Sequence, residues 1–273
     1  MAIANFDDYL GSYKQYAVIA KTNSVTTVAG QPSTLIDRAG LPAAGLLNPG
    51  NVTTGIVPTN ASAGYWNLLS FPASAKGYVS RIEANWSVPG TLALYDVLFV
   101  AGQTTIQTAG TTTVSLASQP LFDQRVPFQS DGSARDYSQV ELWAYSGVAW
   151  GNQAHTMNVT YVNENGVSAR TTPNMSTQNI AVNRMMRVPL SGVDQGIRRL
   201  DGYALNGIAA ATGAVSVVLM RKLWSGRVNY SADFGPDRTG MPEVFSSSAI
   251  LMVAIPDSTS SGVPQVRVEI AQK

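Results

Sequence analysis

The clearest feature of the chain is a period-two alternation of apolar and polar residues after residue 77. In residues 78–88 the apolar positions share one face of a strand, and Arg81, Glu83 and Asn85 share the other. This alternation is typical of a strand with one buried and one solvated face. The same pattern recurs in three further segments, which are therefore also predicted to be strands: residues 140–145, 157–161 and 266–270.

Further segments add strands and turns. Residues 214–219 are apolar on both faces apart from Ser216, which predicts a central strand. Asn165-Gly166 is the favoured dipeptide of a type I′ turn, so residues 156–163 and 167–172 are predicted to pair as an antiparallel hairpin. Five more segments are candidate strands: residues 65–71, 93–100, 111–116, 197–205 and 248–255.

This pattern predicts an all-β fold. Roughly ten short strands joined by turn-rich segments favour a sandwich, a jelly roll or a barrel. No long helical pattern lies between the strands, so parallel βαβ topology is disfavoured, and no fixed repeat suggests a propeller. We predict an antiparallel β-sandwich or jelly roll over residues 65–273 and leave open a subdivision near residue 224.

Residues 1–64 differ from the rest and are predicted to form a short N-terminal helix and an extended irregular arm. Asn5 is a candidate N-cap, Asp7 and Asp8 suit the positive end of a helix dipole, and the apolar spacing predicts a helix over residues 5–20. Residues 21–64 are interrupted by Gly and Pro but still contain apolar residues, unlike a flexible linker. Such a segment packs on its own core or lies on a neighbouring subunit. For the second case the predicted partner contacts are Leu35, Ile36, Leu41, Pro42, Leu46 and Leu47.

Composition removes several functional classes. The 273 residues include 18 Lys+Arg and 17 Asp+Glu, so no basic surplus is present for a phosphate backbone and direct nucleic-acid binding is not expected. The absence of cysteine excludes disulfides and thiolate chemistry. The opening sequence MAIANFDDYL has no apolar stretch, and no apolar run approaches about 18 residues, so we expect neither a secretory signal nor a membrane span.

Candidate catalytic and metal-binding residues are few. His155 is the single histidine, no G-x-S-x-G elbow accompanies it, and an ordinary strand-edge histidine is the favoured interpretation. The acidic residues are dispersed and lie mostly beside turn residues. Residues 131–136 superficially resemble a calcium loop but lack the alternate ligands and the terminal Glu of an EF-hand. We therefore predict no enzymatic activity and no catalytic, cofactor or metal site.

Two other residue sets have alternative interpretations. The second half is rich in arginine and lysine, for which ion pairing is favoured over a patch for DNA or an acidic glycan: Arg184, Arg187, Arg198, Arg199, Arg221, Lys222 and Arg227. Trp143, Trp150 and Trp224 would stack on sugars if they were exposed, but a buried position is favoured.

Several segments together resemble a family of virion structural proteins encoded beside the head genes of tailed double-stranded DNA phages. The resemblance opens with LYDVLFVAG at residues 94–102 and a Thr-rich stretch to Leu116, and AGLPAAG at residues 39–45 resembles the irregular arm of such proteins. The remaining segments that carry it are residues 140–143, 160–167, 170–173, 188–190, 194–200 and 219–221.

The resemblance implies a non-enzymatic component of the virion, namely a capsid decoration (cement) protein on the capsid exterior, made in the host cytoplasm during assembly. Its implied partners are the major capsid protein and further copies of itself, as a homotrimer, with no membrane partner. The resemblance supplies no active-site residues. The alternatives are a receptor- or glycan-binding head or tail appendage and, third, an enzyme such as a depolymerase acting through a carboxylate pair.

Overall fold

The computed structural model describes residues 3, 5–47, 53–68, 70–72, 75–106, 110–116, 121–153, 155–207, 212–229, 236–238 and 240–273. These residues form a helix, α1 (Phe6–Leu10), two single 3₁₀ turns (Asp123–Arg125 and Tyr137–Gln139) and nineteen strands. The strands are β1 (Tyr13–Lys21), β2 (Val25–Thr26), β3 (Ser33–Thr34), β4 (Gly40–Leu41), β5 (Gly77–Asn85), β6 (Gly90–Thr105), β7 (Gly110–Ser115), β8 (Val140–Val148), β9 (His155–Asn163), β10 (Arg170–Thr171), β11 (Met175–Thr177), β12 (Met185–Arg187), β13 (Ile197–Gly207), β14 (Ala214–Val228), β15 (Pro236–Arg238), β16 (Glu243–Val244), β17 (Ile250–Pro256), β18 (Ser261–Gly262) and β19 (Gln265–Gln272).

The chain divides into two compact units, and the first comprises Met1–Leu46, Thr59–Asp96 and Lys222–Lys273. Its larger sheet has the order β15-β5-β19-β1-β4, and β16 also pairs with β5. β17 pairs with β3 and with the first part of β6. Apolar side chains from β1, β5 and β19 share one core with side chains from β6 and β17. The first unit is therefore a sandwich-like arrangement of antiparallel strands.

The second unit comprises Leu47–Pro58 and Val97–Arg221. One of its sheets has the order β10-β9-β13-β7, with β11 also on β9, and β8 pairs with β12 and with the first part of β14. Val159 and Leu205 from the first sheet share a core with Leu142 and Val217 from β8 and β14. This unit is also sandwich-like, which confirms the predicted antiparallel all-β fold.

Most of the predicted strands are present in the structure. β8, β9, β13 and β19 cover the expected segments, while β5 ends at Asn85 and β17 begins at Ile250, so each covers most of its segment. Of residues 167–172, Arg170 and Thr171 (β10) pair with β9, in the predicted antiparallel direction. β14 is buried on both faces over residues 214–221 and lies between β8 and β6, so the predicted central strand is confirmed. The unit boundary between Arg221 and Lys222 lies close to residue 224, whereas residue 64 lies inside the first unit.

The N-terminal helix is shorter than predicted. The side chain of Asn5 caps it as expected, accepting the N–H of Asp8 at 2.9 Å. The helix ends at Leu10, however, and residues 13–21 form β1. Gly11 disfavours continuation of the helix, because glycine has the poorest helix propensity after proline.

The burial of β1 has period two. Gln15, Ile19 and Lys21 are buried, while Tyr16 and Val18 are exposed. Aromatic and β-branched residues suit a half-buried strand better than a helix. The sheet thus overrides the helical spacing of apolar residues that predicted a helix to residue 20.

Two other local predictions are wrong. Asn165 is not in the left-handed region that a type I′ turn requires; Gly166 has a φ of 82°, and its N–H donates to the Asn163 carbonyl at 3.0 Å. The N–H of Asn163 donates to the Val167 carbonyl at 3.0 Å, so residues 164–166 form a three-residue loop that ends on a left-handed glycine. In the described part of residues 65–71 no strand forms, because Trp66 and Leu68 pack into the core of the first unit instead.

Candidate interaction surface

An open strand edge is the main feature of the first unit outside its core. β1 pairs with β19 over eight residues, from Tyr13 to Ala20, but with β4 only at Ala20 and Lys21. Within the described residues, the other side of β1 therefore has no neighbouring strand before Ala20. Edges of this kind are templates for pairing with another chain.

A groove follows this edge, and we call it the β1 groove: residues 13–18, 41–43 and 60–68. Its volume is about 880 Å³. The indole Nε1 of Trp66 donates to the Val18 carbonyl at 3.0 Å, which fixes the wall of residues 60–68 to the strand. Tyr13, Tyr16 and Leu41 are exposed large apolar residues of the groove. The groove thus combines an open backbone edge with exposed apolar side chains.

The side chain of Lys21 positions the residues at the end of the groove. Lys21 is buried, and its Nζ donates to the carbonyls of Arg38 at 3.1 Å and Pro42 at 2.6 Å. Burial lowers the pKa of this ammonium below its ordinary value, and the Asp37 carboxylate acts in the opposite direction. These bonds hold Pro42 and its neighbour Leu41 beside β1.

Glu269 holds α1 and β1 together on the outer face of the sheet. Its carboxylate accepts hydrogen bonds from the hydroxyls of Tyr9 at 2.7 Å, Ser80 at 2.8 Å and Tyr16 at 3.0 Å. Burial by itself would raise the pKa of Glu269, but the three hydroxyl donors outweigh it and lower the pKa below its ordinary value. We call these four residues the Glu269 clasp.

Two cations lie against the tyrosines of the clasp. Lys14 Nζ lies 4.5 Å from the centroid of the Tyr9 ring, and Arg267 Cζ lies 4.2 Å from that of Tyr16. Lys273 and Asp8 form an ion pair between the last residue of the chain and α1. The helix is therefore fixed to the sheet although none of its residues is buried.

The six predicted partner contacts separate into two groups. Leu35 (3% exposed), Ile36 (1%) and Leu47 (1%) are buried inside the chain, and Leu35 belongs to the core of the first unit. Leu41 (61%) and Leu46 (70%) are exposed, and Pro42 is half-buried. The interpretation that residues 21–64 pack on their own core thus holds for part of the segment. Leu41, Leu46 and Pro42 are the members available to a partner.

Sequence reasoning missed the groove residues Tyr13, Tyr16, Val18 and Trp66. Residues 13, 16 and 18 lie within the helix predicted over residues 5–20, so the open edge was not visible. For Tyr13, Tyr16 and Val18, the signal for a strand is the aromatic and β-branched content of residues 13–19, which follows the helix-breaking Gly11.

A polar cleft is the corresponding feature of the second unit. It has a volume of about 810 Å³ and is lined by residues 129–130, 135–138, 163–165 and 193–195. Asp136 Oδ1 accepts from the N–H and hydroxyl of Ser138, and Glu164 Oε2 accepts the backbone N–H groups of Gln195 and Gly196, both at 3.2 Å. These carboxylates therefore shape the cleft by capping its loops.

Asp194 is the most heavily bonded carboxylate of this cleft. It accepts from Arg170 Nε at 2.7 Å, the Tyr161 hydroxyl at 2.7 Å and Asn163 Nδ2 at 2.9 Å. Burial opposes ionisation, but these donors lower the pKa of Asp194 below its ordinary value. Burial also raises the pKa of Tyr161 to about 12, so its hydroxyl stays protonated. Asp194 thus joins β9, β10 and the loop before β13.

The other candidate residues lie in buried or half-buried positions or in a turn. His155 is buried with Trp150 packed edge-on at 5.2 Å between ring centroids, and burial lowers its pKa. Asp131 Oδ1 accepts the N–H of Ser133 at 2.9 Å, as in an ordinary turn. Trp143 and Trp150 are buried, as the favoured interpretation predicted, whereas Trp224 is half-buried against the core of the first unit.

Arginines of the second half take part in ion pairs, as predicted. Arg187 pairs with Glu141, Arg199 with Asp201 and Arg227 with Asp257. In the part of the chain that the structure describes, no three His, Asp or Glu side chains are grouped as metal ligands. No helix within those same residues is long and apolar enough to cross a membrane.

Comparison with known proteins gives only distant similarities. No protein-family model matches the chain, and no curated protein matches its sequence. Among solved structures, the infectious bursal disease virus VP2 subviral particle is 9% identical, with a TM-score of 0.17 over 95% of this chain and 80% of that chain. A mutant VP2 protein of the same virus, in derived T=1 particles, is 8% identical, with a TM-score of 0.18 over 95% and 78% of the two chains. These TM-scores are too low to support a conclusion about function.

Proposed function

We propose that this chain is a structural component of a virion, specifically a capsid decoration (cement) protein that bridges major capsid subunits on the outside of a phage head. The supporting observation is the exposed apolar surface around the β1 groove, including Leu41, together with Leu46. The resemblance carried by residues 39–45 and by the separate segments between residues 94 and 221 supports the same assignment. The proposal gives the chain no catalytic role.

The energetic basis of this role is burial of apolar surface against the shell. Fully burying a leucine side chain contributes about 1.5–3 kcal/mol, so Leu41 and Leu46 together supply a modest contact. Joining several such contacts in a homotrimer raises their effective concentration, so all must release before the protein leaves the shell. A chain with only 13% charged residues also has few charges to desolvate at the contact.

Point substitutions test this proposal better than truncation. Deleting residues 1–64 would remove β1 and the core residue Ile19, so loss of binding would report unfolding. Leu41→Asp and Leu46→Asp change exposed side chains, and Val193→Asp changes a side chain that is 90% exposed in the second unit. Binding would be measured by co-sedimentation with empty shells of the major capsid protein encoded with this chain.

We expect wild type and Val193→Asp to bind equally well, and each leucine variant to bind about tenfold more weakly, since one apolar contact is replaced by a charge that must be desolvated. The mass of the purified protein, from light scattering, would test the trimer. Equal binding of all four proteins would contradict the assigned surface, and no binding by wild type would contradict the function.

The polar cleft of the second unit favours a second candidate, a receptor- or glycan-binding appendage. The amides of Gln129, Asn165 and Gln195 line the cleft together with Asp136, and such groups can bind sugar hydroxyls. A glycan array probed at multivalent density would support this candidate if a bound glycan were lost on Gln129→Ala. The decoration role is preferred because it explains the exposed apolar surface.

A further inference from the structure

We propose that the β1 groove receives one extended segment of the major capsid protein, which adds to β1 as a further strand. This inference rests on the proposed function for the identity of the partner. The proposed mode of binding, strand addition at an open sheet edge, follows from the geometry of β1.

The direction of the backbone groups of β1 follows from its register with β19. Tyr16 lies opposite Glu269, whose carbonyl accepts a hydrogen bond from Ser80 of β5 at 3.2 Å and therefore points away from β1. In an antiparallel ladder, the backbone groups of opposed residues point either toward each other or away from each other. The N–H and C=O of Tyr16 therefore point away from β19, into the groove.

The same direction holds for every second residue of the strand. Val18 shows it directly, because its carbonyl accepts from Trp66 Nε1 across the groove. Lys14 lies two residues before Tyr16, so its backbone N–H and C=O point in the same direction. Lys14 and Tyr16 thus each present one N–H and one C=O to the groove, before β4 begins to pair at Ala20. An extended peptide is the ligand that satisfies donors and acceptors at this spacing.

The shape of the groove selects a single segment over the edge of a second copy. Residues 60–68 form a wall facing β1, and Trp66 fixes that wall to the strand. A sheet edge of another subunit would bring its neighbouring strands against this wall, whereas one extended chain would not. The occupant is therefore an arm or loop of the partner.

Charge complementarity defines the composition of this segment. Lys14 is the single formally charged residue among those that line the groove, and no carboxylate is among them. Its Nζ also donates to the carbonyls of Tyr9 at 2.9 Å and Ser12 at 3.3 Å. Leu41, Pro42 and Trp66 make the rest of the lining largely apolar. The occupant should therefore have apolar side chains, no lysine or arginine, and an acidic side chain near Lys14.

Proline substitution separates the backbone edge from the side chain. Proline is tolerated on an edge strand where the lost N–H faces away from the sheet, but it removes the donor that an added strand needs. Tyr16→Pro would be compared with Tyr16→Ala, since both lose the tyrosine ring and only the first loses the N–H. Lys14→Pro and Lys14→Ala form a second pair, for use if Tyr16→Pro does not fold. Melting temperatures within each pair establish that both proteins fold.

The assay is binding to empty shells of the major capsid protein, combined with hydrogen exchange of the wild-type complex. We expect the proline variant to bind at least about tenfold more weakly than its alanine partner. A backbone hydrogen bond to the added strand is lost, and the pyrrolidine ring of proline obstructs that strand. We also expect the amides of Lys14 and Tyr16 to become protected in the complex. Binding by wild type without this protection, and with equal affinities within a pair, would overturn strand addition but leave the proposed function intact. No binding by wild type would overturn both.

Discussion

Replacing Glu269 tests how α1 is fixed to the face of β1. Glu269 is 5% exposed and accepts hydrogen bonds from Tyr9, Tyr16 and Ser80. A hydrogen bond to a charged group contributes about 1.5–3 kcal/mol when both partners are buried. Ser80 is buried, but Tyr16 is exposed and its hydroxyl can return to water. We therefore expect Glu269→Ala to lower the free energy of unfolding by about 2–4 kcal/mol, less than three full bonds.

The pH dependence gives this prediction a definite sign. The pKa of Glu269 is lowered in the folded protein, so its contribution is fully present above the unfolded pKa, about 4.3, and is lost as pH falls through the folded value. The stability difference between wild type and Glu269→Ala should therefore shrink between pH 6 and pH 3. Glu269→Gln keeps the shape of the side chain without the charge and should show an intermediate loss.

The assay is urea unfolding at pH 6 and pH 3, followed by circular dichroism. Hydrogen exchange of peptides from β1 and β19 would locate the change in the first unit. A stability difference that stays constant with pH would refute the reasoning that the ionised carboxylate stabilises the clasp. A Glu269→Ala protein with the same free energy of unfolding as wild type would also refute it.

Three further substitutions test other parts of the structure. Burial lowers the pKa of His155, so folding favours its neutral form; stability should fall as pH drops below about 6.5, and His155→Gln should flatten this decline in urea midpoints measured at pH 7.5 and 5.5. Asp194→Ala leaves Arg170 and two other donors without their acceptor and should cost about 2–4 kcal/mol in urea unfolding. Gly45→Ala would place a Cβ 2.0 Å from the Ala63 carbonyl oxygen, and we expect a loss of about 1–3 kcal/mol in the same assay, since the backbone must move.

The strands of both units were predictable because alternation is a local signal. In β19, Val266, Val268 and Ile270 point into the core while Arg267 does not, and the sequence alone indicates this. β14 was predictable for the opposite reason, since burial on both faces requires a continuous apolar run.

The N-terminal region was not predictable in the same way. Residues 13–20 become a strand because they pair with residues 265–272, at the other end of the chain. The spacing of apolar residues within residues 13–20 does not indicate this distant pairing. The fate of the apolar arm residues is equally non-local. Leu35 and Leu41 lie in similar Gly- and Pro-rich surroundings, yet one is buried and the other exposed. Without a period, the sequence does not distinguish them.

The candidate interaction surface shows the same division. Leu41, Pro42 and Leu46 were predicted as partner contacts because a flexible linker would lack such apolar residues. The open edge of β1 and the wall formed by Trp66 were not found, because both depend on which strands are neighbours. Local composition therefore indicated apolar residues available for a contact, and the sheet order showed the open strand edge beside them.

A map of the intact particle at side-chain resolution would test most directly whether this chain works by covering other virion proteins. We predict that its density lies on the outer surface of the head, with residues 13–18 and 41–43 against the major capsid protein and an added strand beside β1. Density elsewhere on the particle, attachment through the second unit alone, or a particle that lacks this chain would rule out this role.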